Sequence, residues 1–270
     1  MTGELPLAPH HQRAIDKTIA HFSADPQVRA IVLAGSIARG RQKESSDVDV
    51  MVVLDEAGYE AHRQANRLSE CLGNLTDYQG GYIDVKYFPK SFLVAAAERG
   101  SEPTRHSFVG TRSIFSRDAE VEPLLTRIGT YPEDERADKM LSFYAGLALS
   151  AGFFWGEAQK RNNLYLKTRM AADIVLFATR LILAHNRVLF PCQKWMLDAL
   201  DKASDQPADL RQRIDAFLET PTNENEKALV ETVQGFRDWG YGKDWHPILT
   251  RFIEDHEQWW WKRRPNVIEW

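Results

Sequence analysis

"LAGSIARGRQKESSDVDVMVVLD", residues 33–55, closes an apolar run with Gly35-Ser36, passes through a polar loop, and resumes as a second apolar run carrying Asp47 and Asp49. Residues 28–35 are short, apolar, β-branched and ended by glycine, which predicts a buried strand, and residues 47–54 predict a second. Side chains alternate along a strand. Val48, Val50 and Val52 therefore share one face, and Asp47, Asp49, Met51 and Val53 share the other. An unpaired buried carboxylate loses far more hydration than apolar neighbours return. Two acids on one face of an otherwise apolar strand call for a positive partner.

Working outward, residues 10–22 place Ile15, Ile19 and Phe22 at helical spacing and stop near Ser23-Ala24-Asp25-Pro26. Residues 56–73 are predicted helical, with Leu68 and Leu72 four apart and Gly73-Asn74 as the stop. "GGYIDVKYF" (80–88) predicts a third strand with Ile83, Val85 and Tyr87 on one face and Asp84 and Lys86 on the other, and "TRSIFS" (111–116) a fourth. After the acidic stretch "TYPEDERAD" only helical patterns remain, near 138–160, 163–186, 193–203, 208–219, 223–238 and 247–263. Pro191, Pro207, Pro221 and Pro247 stand at the junctions, where proline is tolerated. The expected class is α+β: a mixed-sheet domain over 1–130, then an all-helical bundle over 131–270 that closes over the cleft of the first.

The bulk numbers set limits. At 270 residues and 43% hydrophobic content the chain can bury two cores, and 34 basic against 38 acidic residues leave a formal charge of −4. That balance gives no general attraction to nucleic acid or to an anionic membrane, so neither is an expected partner. Cys71 and Cys192 stand far apart, which argues against a disulfide framework and for a reducing, cytoplasmic setting. No apolar stretch approaches the length needed to cross a bilayer. His106, His185 and His246 show no metal-ligand spacing.

Asp47 and Asp49, joined by Asp84 from a neighbouring strand, can bring several carboxylate oxygens to one or two hard cations. Magnesium takes oxygen ligands octahedrally and usually shares them with substrate phosphates. Gly35-Ser36 adds a turn at which backbone can approach a ligand closely and the following amides can grip phosphate oxygens. Arg39 and Arg41 offer guanidinium forks to phosphate. Lys194 and Trp195, opening a helix after Pro191, put a lysine and free amides where an anion could sit, and Lys167 and Arg169 are weaker candidates of the same kind. In the tail, Trp259, Trp260 and Trp261 adjoin Lys262-Arg263-Arg264, a pairing suited to stacking on bases. Three successive tryptophans span most of a helix circumference, so packing of Phe252, His256 and Trp259 against the bundle is the expectation.

Gly35-Ser36, ten residues, then Asp47-Val48-Asp49 resembles the signature of the polymerase-beta-type nucleotidyltransferase superfamily. The fuller string, Gly35-Ser36-x-Ala38-Arg39-Gly40 with Ser46-Asp47-Val48-Asp49, is similar to its small bacterial members, which include antibiotic and minimal nucleotidyltransferases. The resemblance implies a mixed-sheet catalytic domain, a magnesium-bound nucleoside triphosphate with two metal ions, and transfer of a nucleoside monophosphate to a hydroxyl with release of pyrophosphate. Gly35 and Ser36 would then hold the triphosphate, helped by Arg39 and Lys194. Asp47 and Asp49 would hold the metals, and Asp84 would be the third carboxylate, as metal ligand or general base. The acceptor is expected to be a small hydroxylated molecule, an antibiotic among the options. The alternatives are a protein-modifying, antitoxin-like enzyme and a nucleotide-binding module without catalysis.

Overall fold

A computed structural model describes residues 7–242, 244–263 and 265–270; Arg264 of the basic tail cluster lies outside the described residues. The chain forms two compact units, one from Met1–Gly100 and Thr104–Thr130, the other from Ser101–Pro103 and Tyr131–Trp270.

The first unit is a five-stranded mixed sheet covered by helices. Its elements are α1 (Pro9–Ser23), β1 (Val28–Leu33), α2 (Gly35–Ala38), β2 (Val48–Leu54), α3 (Glu56–Gln64), β3 (Ser69–Leu72), β4 (Ile83–Pro89), α4 (Lys90–Arg99), α5 (Glu102–Ser107), whose first two residues count with the second unit, β5 (Arg112–Ser116) and α6 (Val121–Ile128). The strand order is β3-β4-β2-β1-β5. β1 runs antiparallel to β2 and β5, β3 antiparallel to β4, and β2 parallel to β4. β2 and β4 therefore lie inside the sheet.

The alternation read from the sequence decides which core each residue joins. Val48, Val50 and Val52 pack with Ile83, Val85, Tyr87 and the α1 residues Ala14, Ile15 and Phe22. Met51 and Val53 face the other way, onto Leu93, Ala96 and Ala97 of α4 and Val121, Leu124, Leu125 and Ile128 of α6. Leu93 is fully buried, and burial of such a side chain contributes about 1.5–3 kcal/mol.

Three expectations change. Asp47 precedes β2 rather than opening it. The predicted helix over 56–73 ends at Gln64, and Ser69–Leu72 instead form an edge strand on β4. Asn66 takes a left-handed φ of 55°, a conformation asparagine tolerates better than most residues and one that terminates a helix. The strand at 112–116 is consequently the fifth.

The second unit is helical: α7 (Arg136–Leu149), a π-helical segment at Ser150–Trp155, α8 (Gly156–Lys160), α9 (Leu164–His185), α10 (Met196–Leu200), α11 (Leu210–Glu219), α12 (Asn223–Gln234), α13 (Trp245–His256) and α14 (Trp259–Lys262). Its core gathers around α9, where Ile174, Phe177, Leu181 and Ile182 meet Phe143, Leu147, Phe190 and Phe217. The predicted helix over 247–263 is broken between His256 and Trp259. Phe252 and His256 stack inward at 4.1 Å, whereas Trp259 is 37% exposed and Trp260 and Trp261 about two-thirds. Among the described residues no helix is long and apolar enough to cross a membrane.

Glu102, 1% exposed, accepts from Lys139 Nζ at 3.2 Å and from the Phe190 amide at 2.9 Å, and lies 3.3 Å from Arg180 Nη2. Lys139 and Arg180 are themselves fully buried. Charges at this depth persist only with such partners.

Candidate active site

The site lies where β1 ends and β2 begins, because antiparallel pairing brings Leu33 opposite Val50 and the Ala34 amide donates to the Asp49 carbonyl at 2.9 Å. The chain then turns at Gly35, with φ +65°, a conformation glycine adopts without steric cost. A Cβ there would stand 1.7 Å from Asp49 Oδ2. The carboxylate thus occupies the space a side chain at position 35 would need.

Parallel pairing places Asp49 of β2 in register with Asp84 of β4. Their separation is fixed by the sheet, not by side-chain choice. Burial pushes the Asp49 carboxyl up to about 6, with the charges of Asp47 and Asp84 adding to the effect and Lys86 and Arg39 opposing it. The three acids therefore feel one another, yet among the described residues no three acidic, histidine or cysteine side chains close into a ready-made metal centre. Asp84 is flanked by Lys86, whose Nζ stands 4.0 Å from Asp84 Oδ2. Asp47 receives the hydroxyl of Tyr82, and this bond pushes the phenol up to about 12.

A cavity of about 130 Å³ opens here, lined by Ala34, Gly35, Arg39, Asp49, Val50, Met51, Asp84, Lys86 and Ser107. Arg39 is built into its wall. Its Nε donates to the Val109 carbonyl and its Nη2 to the His106 carbonyl, each at 3.1 Å. Burial lowers its pKa, as does nearby Arg41, while Asp49 raises it. Burial and the two arginines hold the His106 imidazole down at about 4, so it is neutral at pH 7.

Of the residues singled out in the sequence, Gly35, Arg39, Asp49 and Asp84 line this cavity, and Asp47 lies close enough to act on Asp49. Ser36, half-buried in the first turn of α2, follows Gly35 without lining it. Lys194 belongs to the helical unit, in a short 3₁₀ turn over Gln193–Trp195, with its ammonium 4.9 Å from the Trp195 ring. Lys167 lies over Trp155, and Arg169 pairs with Asp173 at 2.7 Å. The bond from Tyr82 to Asp47 and the place of Ser107 in the cavity wall escaped the sequence. Tyr82 carries a usable signal, since it lies in the strand pattern two residues before Asp84.

A family model for the nucleotidyltransferase domain matches residues 15–98, which span β1, β2, β4 and all three acids. A protein of Methanocaldococcus jannaschii named a protein adenylyltransferase is 46% identical over 72 residues, 27% of this chain and 72% of that protein. The crystal structure of a nucleotidyltransferase-like protein from Exiguobacterium sibiricum superposes with a TM-score of 0.50 and 13% identity, covering 84% of this chain and 74% of that one. The latter shares the α+β fold. The chain is a nucleotidyltransferase and belongs to the polymerase-beta-type superfamily.

Proposed function

We propose that this enzyme moves a nucleoside monophosphate from a magnesium-bound nucleoside triphosphate to an acceptor hydroxyl. The acceptor oxygen forms a bond to the α-phosphorus as the bond to the β-phosphate bridging oxygen breaks; pyrophosphate leaves and the hydroxyl proton passes to Asp84 or to solvent. The observation that carries the reading is the Gly35 turn seated directly against the Asp49 carboxylate, with Asp84 in register beside it. The donor set fits the metal: carboxylate oxygens on one sheet face, incomplete by themselves, suit a hard cation that arrives with phosphate oxygens. Asp47 and Asp49 would hold the ions, with Asp84 as third carboxylate. When bound, such cations neutralise the triphosphate and acidify the attacking hydroxyl.

The chain's own groups do the rest. The Gly35 and Ser36 amides bind phosphate oxygens, as amides at a helix start can. Asp84 would complete the carboxylate set that holds the metal, or would take the acceptor hydroxyl's proton. Arg39 and Lys86 set positive charge along the cavity wall, which would offset the charge developing on a departing pyrophosphate. Both cysteines are free, which suits a reducing compartment such as the cytoplasm.

The acceptor is proposed to be a small hydroxylated molecule. The name of the Methanocaldococcus jannaschii relative favours a second reading, a hydroxyl on a protein. Incubation with alpha-labelled ATP, magnesium and a cell lysate separates them: label in low-molecular-weight material supports the first, labelled protein bands the second. Asp47→Asn and Asp49→Asn are expected to lose labelling of either kind while remaining folded by circular dichroism. Full labelling by either variant would refute the mechanism.

A further inference from the structure

Asp47 lies just outside the β2 ladder, so sheet pairing does not fix its direction. Two side chains far away in sequence hold the peptide that precedes it. Tyr78 Oη donates to the Ser46 carbonyl at 2.7 Å, and His11 Nε2 donates to the same oxygen at 3.0 Å. A carbonyl only accepts, so Nε2 carries the imidazole proton, and both lone pairs of the oxygen are used. The rest of the turn is held as firmly. The Ser46 amide donates to the Lys43 carbonyl at 3.0 Å, Ser46 Oγ accepts from the Lys43 amide at 2.9 Å, and His10 Nε2 bonds the Glu44 carbonyl at 2.9 Å.

The clamp is built from packed rings. His10 and His11 lie 4.5 and 5.2 Å from the Tyr78 ring. A Cβ on Gly81 would stand 2.5 Å from that same ring, so the chain passes it only as glycine before reaching Tyr82, the donor to the Asp47 carboxylate. His11 is fully buried, burial lowers its pKa, and among the described residues its Nδ1 finds no hydrogen-bond partner. An unpaired buried nitrogen costs stability, so apolar packing alone does not account for an imidazole at this place. The bond from Nε2 does.

We propose that His11 and Tyr78 are positioning residues for Asp47: by pinning the Ser46 carbonyl they set the plane of the Ser46–Asp47 peptide, and with it the direction in which the carboxylate meets a divalent cation. The role rests on Asp47 being a metal ligand, as proposed above. It needs no contact between either side chain and the substrate.

The test uses the full chain with Mn²⁺ as probe and a non-hydrolysable α,β-methylene ATP, reading free Mn²⁺ by electron paramagnetic resonance. Tyr78→Phe keeps the ring and removes only the hydroxyl, and His11→Leu removes the second donor. Each is expected to weaken Mn²⁺ binding by about 10- to 100-fold, the loss usual for groups that orient a ligand without touching the ion. The KM for ATP at saturating metal should stay within about twofold as turnover falls, because triphosphate contacts are untouched. All titrations are run at a temperature where circular dichroism shows the variant fully folded, which removes instability as a cause. Mn²⁺ affinity unchanged in both variants, with Asp47→Asn weakened, overturns the positioning role alone. Unchanged affinity in Asp47→Asn overturns the ligand assignment and the positioning role with it.

Discussion

Gly35→Ala is the perturbation whose outcome the geometry constrains most tightly. The new methyl carbon would lie 1.7 Å from Oδ2, 2.5 Å from Cγ and 2.9 Å from Cβ of Asp49, at a backbone φ of +65°. The left-handed conformation alone costs an alanine about 1–2 kcal/mol. Asp49 borders a cavity, so its carboxylate can swing away, while its Cβ, carried by β2, is relieved only by a small backbone shift; the total loss should be about 3 kcal/mol by urea unfolding. Activity suffers more. A displacement of about 1 Å in a reacting group costs on the order of 100-fold, and here the carboxylate must move at least that far. The check is a double-mutant cycle with Asp49→Gly, which deletes every atom the methyl would strike. In that background Gly35→Ala should cost only the conformational part, giving a coupling of about 1 kcal/mol or more. Equal costs in the two backgrounds, or wild-type nucleotide transfer by Gly35→Ala, would refute the reasoning.

Asp49 also makes a pH prediction for the metal-free protein. Its carboxyl is raised from 3.8 to about 6, first by burial and then by Asp47 and Asp84. The folded state holds the proton more tightly than the unfolded one, so stability is lost as pH rises from about 4 to 6 and stays low above. A shift of that size is worth about 3 kcal/mol at most, and solvent access at the cavity reduces it to roughly 1–2 kcal/mol. Asp49→Asn should therefore be more stable than wild type by that amount at pH 7.5 and equal to it near pH 3.5; parallel urea-midpoint profiles across this range would contradict the assignment. Glu102→Ala removes the carboxylate that Lys139 and Arg180 share, leaving Lys139 with Glu135 at 3.1 Å and Arg180 with the Val267 and Ile268 carbonyls, and should lower stability by about 3 kcal/mol, the lower end for a broken buried pair, while Glu102→Gln retains an acceptor and should lose less. Equal unfolding midpoints for the two variants would count against the charge argument.

How much of this was legible in the sequence depended on the range of the interaction. "DVDVMVVL" announced itself because a strand buried on both faces has no ordinary place for two acids, and the same alternation put Asp84 and Lys86 on one face of β4. The pairing of Leu68 with Leu72 was misleading, since a spacing of four is as available to a turn followed by an edge strand as to a helix, and only the left-handed Asn66 decides between them. Lys194 follows a proline as an anion-binding lysine would, and the position of its ammonium 4.9 Å from the Trp195 ring is a contact that spacing alone does not announce. The contacts of His11 and Tyr78 with Ser46 span 35 and 32 residues, and no local pattern encodes a partner at that distance.

The three residues Ser101–Pro103 belong with the helices although the chain on either side of them belongs with the sheet. The polypeptide therefore passes between the units three times, at 100/101, 103/104 and 130/131, and no single cut can part them cleanly. A helical fragment begun at Tyr131 would lack Glu102 and inherit its two cations, whereas a sheet fragment ended at Thr130 would carry a carboxylate evolved for burial out into water. Dissection of this enzyme by truncation is expected to yield a poorly soluble second half. Expressing both halves together, with residues 101–103 supplied from the first, is the arrangement under which the helical half should recover its fold.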